Sequence, residues 1–293
     1  MVKKRIIPPA GYHFQREENR EMVISKGSAA RLLRQGLLNP GGLWKRTSQQ
    51  NHLSGRGEVL VSRGPRGAVA IRKYRHGGLL RRFTGDLFFF GNRPFQELVV
   101  TEQAKSAGVP TVKTLAAIKQ REWGGWYRGY LITEYLPTTL DLIDYLDRQP
   151  SGAERQKVIE QAAEAVRTIH QRGIYHADLH LKNFLVEDRK QAKVFLIDFD
   201  KSRISAGLAP SRRMKNLRRL DRSAEKLKRL GLSLTETDKK HFCHAYARGD
   251  QVIRPYLKRF TARYRWHTLL YRGGWWIAKI FYPRHRPWRK STT

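Results

Sequence analysis

The chain has 293 residues, which is enough for one or two domains with a sizeable core. Its 58 lysine and arginine residues outnumber 25 aspartate and glutamate residues, giving a formal net charge of +33. Such a chain is expected to bind a polyanion, which includes nucleic acid, anionic lipid headgroups and phosphorylated glycolipids. The single cysteine excludes an intrachain disulfide and a cysteine-based metal cluster. The N-terminal residues predict no secretory signal, and no apolar run approaches the roughly 18 residues that span a bilayer.

Strand patterns dominate the first half of the chain. Residues 58–73 hold two apolar, β-branched stretches around RGPRG, which predicts a β-hairpin. The SGRG that precedes them contains Gly55 and Gly57, whose backbone N–H groups would suit a phosphate, although a plain turn fits the same residues. Apolar residues at helical spacing predict a helix over residues 93–107, and residues 130–137 read as a strand that ends at a proline.

Helical patterns dominate the second half. Residues 153–172 place five apolar residues on one face and predict the clearest helix of the chain. Short strands are predicted at 184–186 and 194–197. The pattern changes near Pro137, which predicts an α+β architecture with a small sheet-rich lobe and a larger helical lobe.

Three polar residues between these strands suggest a chemistry. Asp178 and Asn183 lie within GIYHADLHLKNFLV, and Asp198 ends the apolar run VFLID. Phosphoryl transfer from ATP needs a carboxylate that orients the attacking hydroxyl, together with oxygen ligands for Mg²⁺. Asp178 fits the first role, and Asn183 and Asp198 fit the second. A chance arrangement or a structural turn is the alternative interpretation.

The spacing matches the catalytic pattern of protein kinases. The residues from His176 to Asn183 follow H-R-D-L-x-x-x-N, and D-F-G becomes D-F-D from Asp198. We interpret His176 as a structural residue rather than a proton carrier. Ala177 replaces the arginine that receives an activation-loop phosphate, and no A-P-E segment follows, which disfavours a phosphorylation-switched protein kinase. The pattern therefore favours a kinase that acts on a small molecule or a glycolipid.

The upstream residues fit the same pattern. VAIRKY resembles the strand V-A-I-K, and strand alternation predicts that Arg72, rather than Lys73, faces the nucleotide phosphates. Glu97 on the following helix is the expected partner of Arg72, with Glu102 as the weaker candidate. An exposed helix charge is the alternative interpretation of Glu97. Backbone groups around Glu134 are expected to meet adenine.

These residues together resemble a known family, the lipopolysaccharide kinases, and within it the kinases of 3-deoxy-D-manno-octulosonic acid (Kdo). The resemblance spans roughly residues 55–230. It lies in AVAIRKYRHGGLLRRF at 68–83, RPFQE at 93–97, GVPTVK at 108–113, IYHADLHLKNFLV at 174–186, IDFDKSRI at 197–204 and NLRRLDRSAEKL at 216–227.

The resemblance implies a protein-kinase-like bilobal fold, ATP and Mg²⁺ as cofactors, and Asp178 as the catalytic aspartate. It implies a nucleotide-binding lobe over 1–136 and a catalytic lobe over 137–253. The implied acceptor is a Kdo sugar on a lipid A precursor, at the cytoplasmic face of the inner membrane. A heptose acceptor, a small-molecule kinase and a kinase-like protein without turnover remain alternatives.

Two aromatic stretches bear on membrane binding. The basic, aromatic tail over 254–293 is expected either to lie at an anionic membrane surface or to pack on the helical lobe. The LFFF stretch at 87–90 is expected to pack in the core. A basic nucleic-acid-binding protein is the non-enzyme alternative, but no zinc-finger, RRM or homeodomain pattern supports it, so no nucleic-acid partner is expected.

Overall fold

The computed structural model describes most of the chain. The described residues are 7–46, 52–53, 59–65, 67–76, 85–189 and 191–259.

The described residues form two compact units. The first takes the residues up to Thr139 and two returning segments, His176–Asp178 and Phe195–Ser205. The second takes Leu140–Tyr175, Leu179–Val194 and the residues from Ala206 onward. The lobe boundaries predicted after residues 136 and 253 stay predictions.

The first unit is built on an eight-stranded antiparallel sheet. Its strands are β1 (Tyr12–Glu17), β2 (Arg20–Ser25), β3 (His52–Leu53), β4 (Val59–Gly64), β5 (Gly67–Lys73), β6 (Phe88–Phe89), β7 (Thr114–Arg121) and β8 (Trp126–Glu134). Their order is β1-β2-β7-β8-β5-β4-β3, and β6 pairs with β8. The hairpin predicted over 58–73 is confirmed as β4 and β5, which pair from Gly64 opposite Gly67 to Val59 opposite Arg72.

Apolar side chains on alternate residues of the sheet enter two core clusters. Helices α1 (Ala29–Arg34) and α2 (Pro40–Arg46) contribute to one cluster, and α3 (Arg93–Ser106) contributes to the other. On β2, Met22 packs with Leu32 of α1, whereas the next residue, Val23, packs with Leu98 of α3. This two-residue period is that of a strand covered on both faces. Helix α3 confirms the helix predicted over 93–107.

The LFFF stretch only partly follows its prediction. Phe88 is buried in the cluster beside α3, but the expectation of core packing is wrong for Phe89 and Phe90, each of which is 55% exposed. Successive side chains of a strand point to opposite faces, so Phe88 and Phe89 could not both enter one core. Phe90 leaves the strand altogether, because its φ of 51° is left-handed.

The second unit is mainly helical. Its helices are α4 (Leu142–Asp147), α5 (Gly152–Gln171), α6 (Pro210–Arg229) and α7 (Glu236–Tyr246), with a short 3₁₀ turn at Leu181–Asn183. The remaining short strands of the chain are β9 (Thr139–Asp141), β10 (Ile174–Tyr175), β11 (Phe184–Glu187), β12 (Val194–Leu196) and β13 (Arg203–Ile204).

Helix α5 confirms the helix predicted over 153–172. Its buried face includes the five residues expected from the pattern, which are Val158, Ala162, Ala165, Val166 and Ile169. The Ser151 side chain caps its first turn by accepting from the backbone N–H of Glu154 at 3.4 Å. Gly173 follows its C-terminus with a φ of 74°, a left-handed conformation that glycine adopts without a side-chain clash.

A buried polar network joins three helices of this unit to the residues after α7. Arg213 donates from Nε to the Tyr246 hydroxyl at 2.9 Å and from Nη2 to Asp250 at 2.8 Å. The hydroxyl lies 2.7 Å from Nδ1 of His170, and Nε2 of His170 lies 2.9 Å from Oδ1 of Asn216. Because the amide oxygen of Asn216 can only accept, Nε2 of the neutral imidazole carries the proton and donates to it. Nδ1 is then the acceptor, so the Tyr246 hydroxyl donates to Nδ1 while it accepts from Arg213.

Residues 254–259 are helical, and Leu257 among them is buried. The rest of the tail predicted to lie at a membrane is outside the described residues, as are Gly55 and Gly57. Within the described part of the chain, no helix is both long and apolar enough to cross a bilayer.

Candidate active site

His176 ties together the two segments that carry the predicted catalytic carboxylates. Its imidazole is fully buried and packs against Phe199, with ring centroids 5.1 Å apart. The backbone N–H of Asp178 donates to Nδ1 at 3.2 Å, so Nε2 carries the proton and donates to the carbonyl of Ile197 at 3.1 Å. The ring thus fixes Asp178 relative to the residue before Asp198. This geometry supports the structural role predicted for His176.

A second link joins the same two segments. The backbone N–H of Ala177 donates to the Ser202 hydroxyl at 3.1 Å, and Ser202 in turn donates from its backbone N–H to the carbonyl of Phe199 at 3.0 Å. Asp198 begins this turn in a left-handed conformation, with a φ of 64°. A residue other than glycine adopts this backbone conformation where the surrounding structure holds it there.

Arg72 joins three elements of the first unit. From the end of β5, its Nη1 donates to Oδ1 of Asp198 at 2.6 Å, and its Nη2 donates to Oε2 of Glu97 on α3. The planar guanidinium presents donors in a fixed fork, so one side chain holds two carboxylates at once. Glu97 is 3% exposed, which excludes the alternative of a solvated helix charge.

Lys73 has a separate set of partners. Its ammonium pairs with Asp86 and lies 5.9 Å from the centroid of the Trp44 ring. Adjacent residues of a strand point to opposite faces, which is why Arg72 and Lys73 contact different parts of the first unit. The alternation expected from the sequence is therefore present at these two residues.

A second guanidinium–carboxylate pair lies beside the first and was not predicted from the sequence. Arg93, at the start of α3, donates from Nε to Oδ1 of Asp200 at 2.5 Å and from Nη2 to the other oxygen of that carboxylate. Arg93 and Glu97 are four residues apart, so they lie on one face of α3. The only available signal was that Asp200 stands where D-F-G has glycine, and this signal did not identify Arg93.

Tyr74 connects the two pairs. Its hydroxyl donates to Oε2 of Glu97, and its ring centroid lies 4.8 Å from Cζ of Arg72 and 5.2 Å from Cζ of Arg93. Gly129 on β8 permits this packing, because a Cβ there would lie 3.1 Å from the Tyr74 ring and 2.8 Å from Pro94. Neither Tyr74 nor Gly129 was predicted from the sequence.

The charges in this cluster perturb two carboxyl groups in opposite directions. Burial raises the pKa of Glu97 to about 7 despite the neighbouring Arg72, and the carboxylates of Asp198 and Asp200 act in the same direction as burial. Burial also opposes ionisation of Asp198, but Arg72 outweighs it and lowers the pKa of that carboxyl. Three carboxyl groups therefore face the two guanidinium groups of Arg72 and Arg93. Ionisation of Glu97 leaves this cluster with an excess of negative charge, which a further cation would stabilise.

The other predicted site residues have their own contacts. Asn183 is buried in the 3₁₀ turn of the second unit. Glu134 ends β8, where its backbone N–H donates to the carbonyl of Lys113 at 2.9 Å. Glu102, the weaker candidate partner of Arg72, instead accepts from the Tyr12 hydroxyl at 2.8 Å. The nucleotide and metal roles assigned to these residues stay predictions.

Known proteins share both the sequence pattern and the fold. The model of the lipopolysaccharide kinase (Kdo/WaaP) family matches residues 43–246. A 3-deoxy-D-manno-octulosonic acid kinase of Vibrio cholerae serotype O1 is 33% identical over 184 residues, covering 58% of this chain and 75% of the relative. A protein of the same name from Actinobacillus succinogenes is 32% identical over 184 residues, covering 61% and 75%.

The fold is also found in solved structures. One of them is described as WaaP in complex with acyl carrier protein, and it covers 80% of this chain and 92% of its own, with a TM-score of 0.55 and 20% identity. The predicted α+β, kinase-like fold is confirmed. The family match spans more than half of the chain, so the prediction of a kinase is confirmed as well. The chain belongs to the lipopolysaccharide kinase (Kdo/WaaP) family.

Proposed function

We propose that the chain transfers the γ-phosphoryl group of ATP to a hydroxyl of a Kdo sugar on a lipid A precursor. The observation that carries this proposal is the position of Arg72, which hydrogen-bonds both Glu97 and Asp198 from the end of β5. Kinases use a cation at this position to hold the nucleotide phosphates. The Kdo acceptor follows from relatives that are named Kdo kinases.

In this mechanism Asp178 orients the acceptor hydroxyl and accepts its proton as the sugar oxygen attacks phosphorus. The new bond joins the sugar oxygen to the γ-phosphorus, and the bond from that phosphorus to the β,γ-bridging oxygen breaks to release ADP. His176 holds the backbone of Asp178, which positions the residue that carries this carboxylate. Arg72 binds the α- and β-phosphates while Glu97 fixes its guanidinium.

Mg²⁺ would be held by Asp198 and Asn183, whose carboxylate and amide oxygens are the donors this ion prefers. Within the described residues, no group of three or more histidine, cysteine, aspartate or glutamate side chains forms a metal-binding set. The pair Asp198 and Asn183 suits an ion that is held by one or two protein oxygens together with the nucleotide phosphates. When bound, the ion would neutralise charge that develops on the phosphates.

The acceptor places the enzyme at the cytoplasmic face of the inner membrane as a peripheral protein. A lipid A precursor is a phosphorylated glycolipid in an anionic membrane, and the chain's net charge of +33 suits such a surface. Each basic residue near an anionic surface contributes about 1 kcal/mol of attraction.

Asp178→Ala tests the catalytic assignment. Transfer of labelled phosphate to a Kdo-containing lipid A precursor should fall about 10²–10⁴-fold, because the acceptor hydroxyl loses its base. Asp188→Ala is the matched control, since Asp188 is an exposed residue that pairs with Arg148. Near-normal transfer by Asp178→Ala would contradict the assignment. Transfer by the unsubstituted enzyme to a heptose-containing acceptor, and not to Kdo, would contradict the proposed sugar.

A further inference from the structure

Four aromatic side chains of the first unit form a partly exposed group, here called the aromatic patch. It consists of Phe89, Phe90, Trp123 and Trp126. The ring centroid of Phe89 lies 4.2 Å from that of Phe90 and 4.9 Å from that of Trp126, and the two tryptophan rings are 6.3 Å apart. Trp123 is 74% exposed and the two phenylalanines are 55% exposed. Water therefore covers most of a continuous apolar surface.

Two turns hold the aromatic patch in place. One follows β6, and the other is the Trp123-Gly124-Gly125 turn between β7 and β8. The backbone N–H of Phe90 donates to the carbonyl of Gly125 at 3.2 Å, which joins the two turns. Gly125 has a φ of 87°, and a Cβ there would lie 2.9 Å from the Phe90 ring. Glycine is therefore required at position 125, both for its left-handed backbone and for the close approach of the Phe90 ring.

The Phe90 backbone is strained in a way that keeps its ring near solvent. Its φ of 51° is left-handed, and this conformation is a genuine outlier for a bulky side chain. Core packing does not offset the strain, since the side chain is 55% exposed. Strain that the fold retains without burying the residue indicates a role for the exposed ring.

We propose that the aromatic patch inserts into the headgroup region of an anionic lipid bilayer. Tryptophan and phenylalanine suit this region, where apolar rings leave water while nearby basic groups remain at the headgroups. Arg121 and Arg128, in the strands that flank the tryptophan turn, have side chains 42% and 31% exposed. Arg121 pairs with Glu21, and Arg128 pairs with Asp86 and Glu122, so the attraction to anionic lipid comes mainly from the net charge of +33. That the chain binds a membrane rests on the proposed lipid-linked acceptor. The choice of the aromatic patch as the binding surface follows from the exposure and geometry of its four rings.

A second copy of the chain fits this surface poorly. Stable protein interfaces bury about 1,200–2,000 Å² in total, which a group of four partly buried rings does not supply by itself. Each copy also carries a net charge of +33, so two copies repel each other while an anionic bilayer attracts each of them.

The test compares co-sedimentation of the full chain with vesicles of phosphatidylethanolamine and phosphatidylglycerol at low and high salt. High salt screens the charge attraction, since the Debye length falls to about 3 Å at 1 M, and leaves the apolar contribution. The variant is Phe89→Ala with Trp123→Ala. The matched control is Phe14→Ala with Leu33→Ala, whose side chains are 39% and 63% exposed elsewhere on the same unit.

At high salt, the patch variant should partition into vesicles at least about ten-fold less than the unsubstituted chain, from the apolar area it loses. The control pair should bind like the unsubstituted chain. Equal binding by the patch variant and the unsubstituted chain would overturn the proposal. So would a patch variant that loses self-association in sedimentation velocity while its vesicle binding is unchanged.

Phe90→Gly provides a second test that does not depend on the folding of the double variant. Glycine relieves the left-handed strain, so the melting temperature should not fall, whereas salt-resistant vesicle binding should. Unchanged vesicle binding by this variant would overturn the proposal.

Transfer to a deacylated, water-soluble Kdo acceptor without vesicles separates this proposal from the proposed function. The patch variants should keep that transfer, because none of the substituted residues is assigned a role in binding ATP, Mg²⁺ or the acceptor. Failure of the unsubstituted chain to transfer would contradict the proposed function and leave the vesicle comparison valid.

Discussion

The two units each contain a buried arginine network, and the two networks differ in charge balance. In the second unit, Arg213 pairs with one carboxylate, that of Asp250. It also donates to the Tyr246 hydroxyl, which is linked by hydrogen bonds to the His170 imidazole and the Asn216 amide. In the first unit, the guanidinium groups of Arg72 and Arg93 share three carboxylates. One network is neutral as a whole, and in the other the carboxyl groups outnumber the guanidinium groups and the charge becomes negative when Glu97 ionises.

This difference separates a network that stabilises the fold from one suited to a ligand. The neutral network has satisfied contacts and gains little from a further ion. The negatively charged network keeps Glu97 at a pKa of about 7 and holds Asp198 ionised, and the Asp198 side chain remains 32% exposed. Strongly perturbed carboxyl groups beside a specific charge partner are typical of functional sites.

Substitutions of Arg72 and Lys73 should differ most in their effect on catalysis. Arg72→Ala removes the cation assigned to the phosphates, so we expect kcat/KM for ATP to fall about 10²-fold or more. Lys73→Ala removes the contacts with Asp86 and Trp44 and should change kcat/KM far less. Steady-state kinetics at varied ATP measures both. A greater loss of kcat/KM in Lys73→Ala would show that the Lys73 face of β5, and not the Arg72 face, meets the nucleotide.

Tyr246→Phe should have a smaller effect, on stability instead of catalysis. The change removes the hydroxyl that accepts from Arg213 and donates to His170, and it leaves two buried polar groups without that partner. The free energy of unfolding should fall by about 1–3 kcal/mol, measured by urea denaturation. The kcat of the folded variant should be retained. A large loss of kcat with unchanged stability would show that the second network also serves the reaction.

Local patterns in the sequence predicted much of the candidate site. The spacing from His176 to Asn183, followed by Asp198, identified the kinase pattern because these residues are close in the chain. Strand alternation distinguished Arg72 from Lys73 for a similar reason, since a period of two residues is a property of the strand itself. The helix carrying Glu97 followed from apolar spacing.

Contacts between distant parts of the chain could not be predicted in this way. Arg93 and Asp200 are 107 residues apart, and neither shows its partner in the sequence. Tyr74 directly follows β5, and nothing in its local sequence indicates that its hydroxyl donates to Glu97 of α3 or that its ring packs on Gly129. The LFFF stretch was interpreted as a unit, whereas the end of β6 and the left-handed Phe90 divide it between core and surface.

We expect Asp198 to bind the magnesium that accompanies ATP, and calorimetric titration of ATP with and without Mg²⁺ measures this binding. Asp250→Asn is the matched control, because it makes the same carboxylate-to-amide change in the neutral network. Mg²⁺ should tighten ATP binding by the unsubstituted chain and by Asp250→Asn, and Asp198→Asn should lose most of this dependence. Equal tightening by Mg²⁺ in Asp198→Asn and the unsubstituted chain would show that Asp198 does not hold the ion.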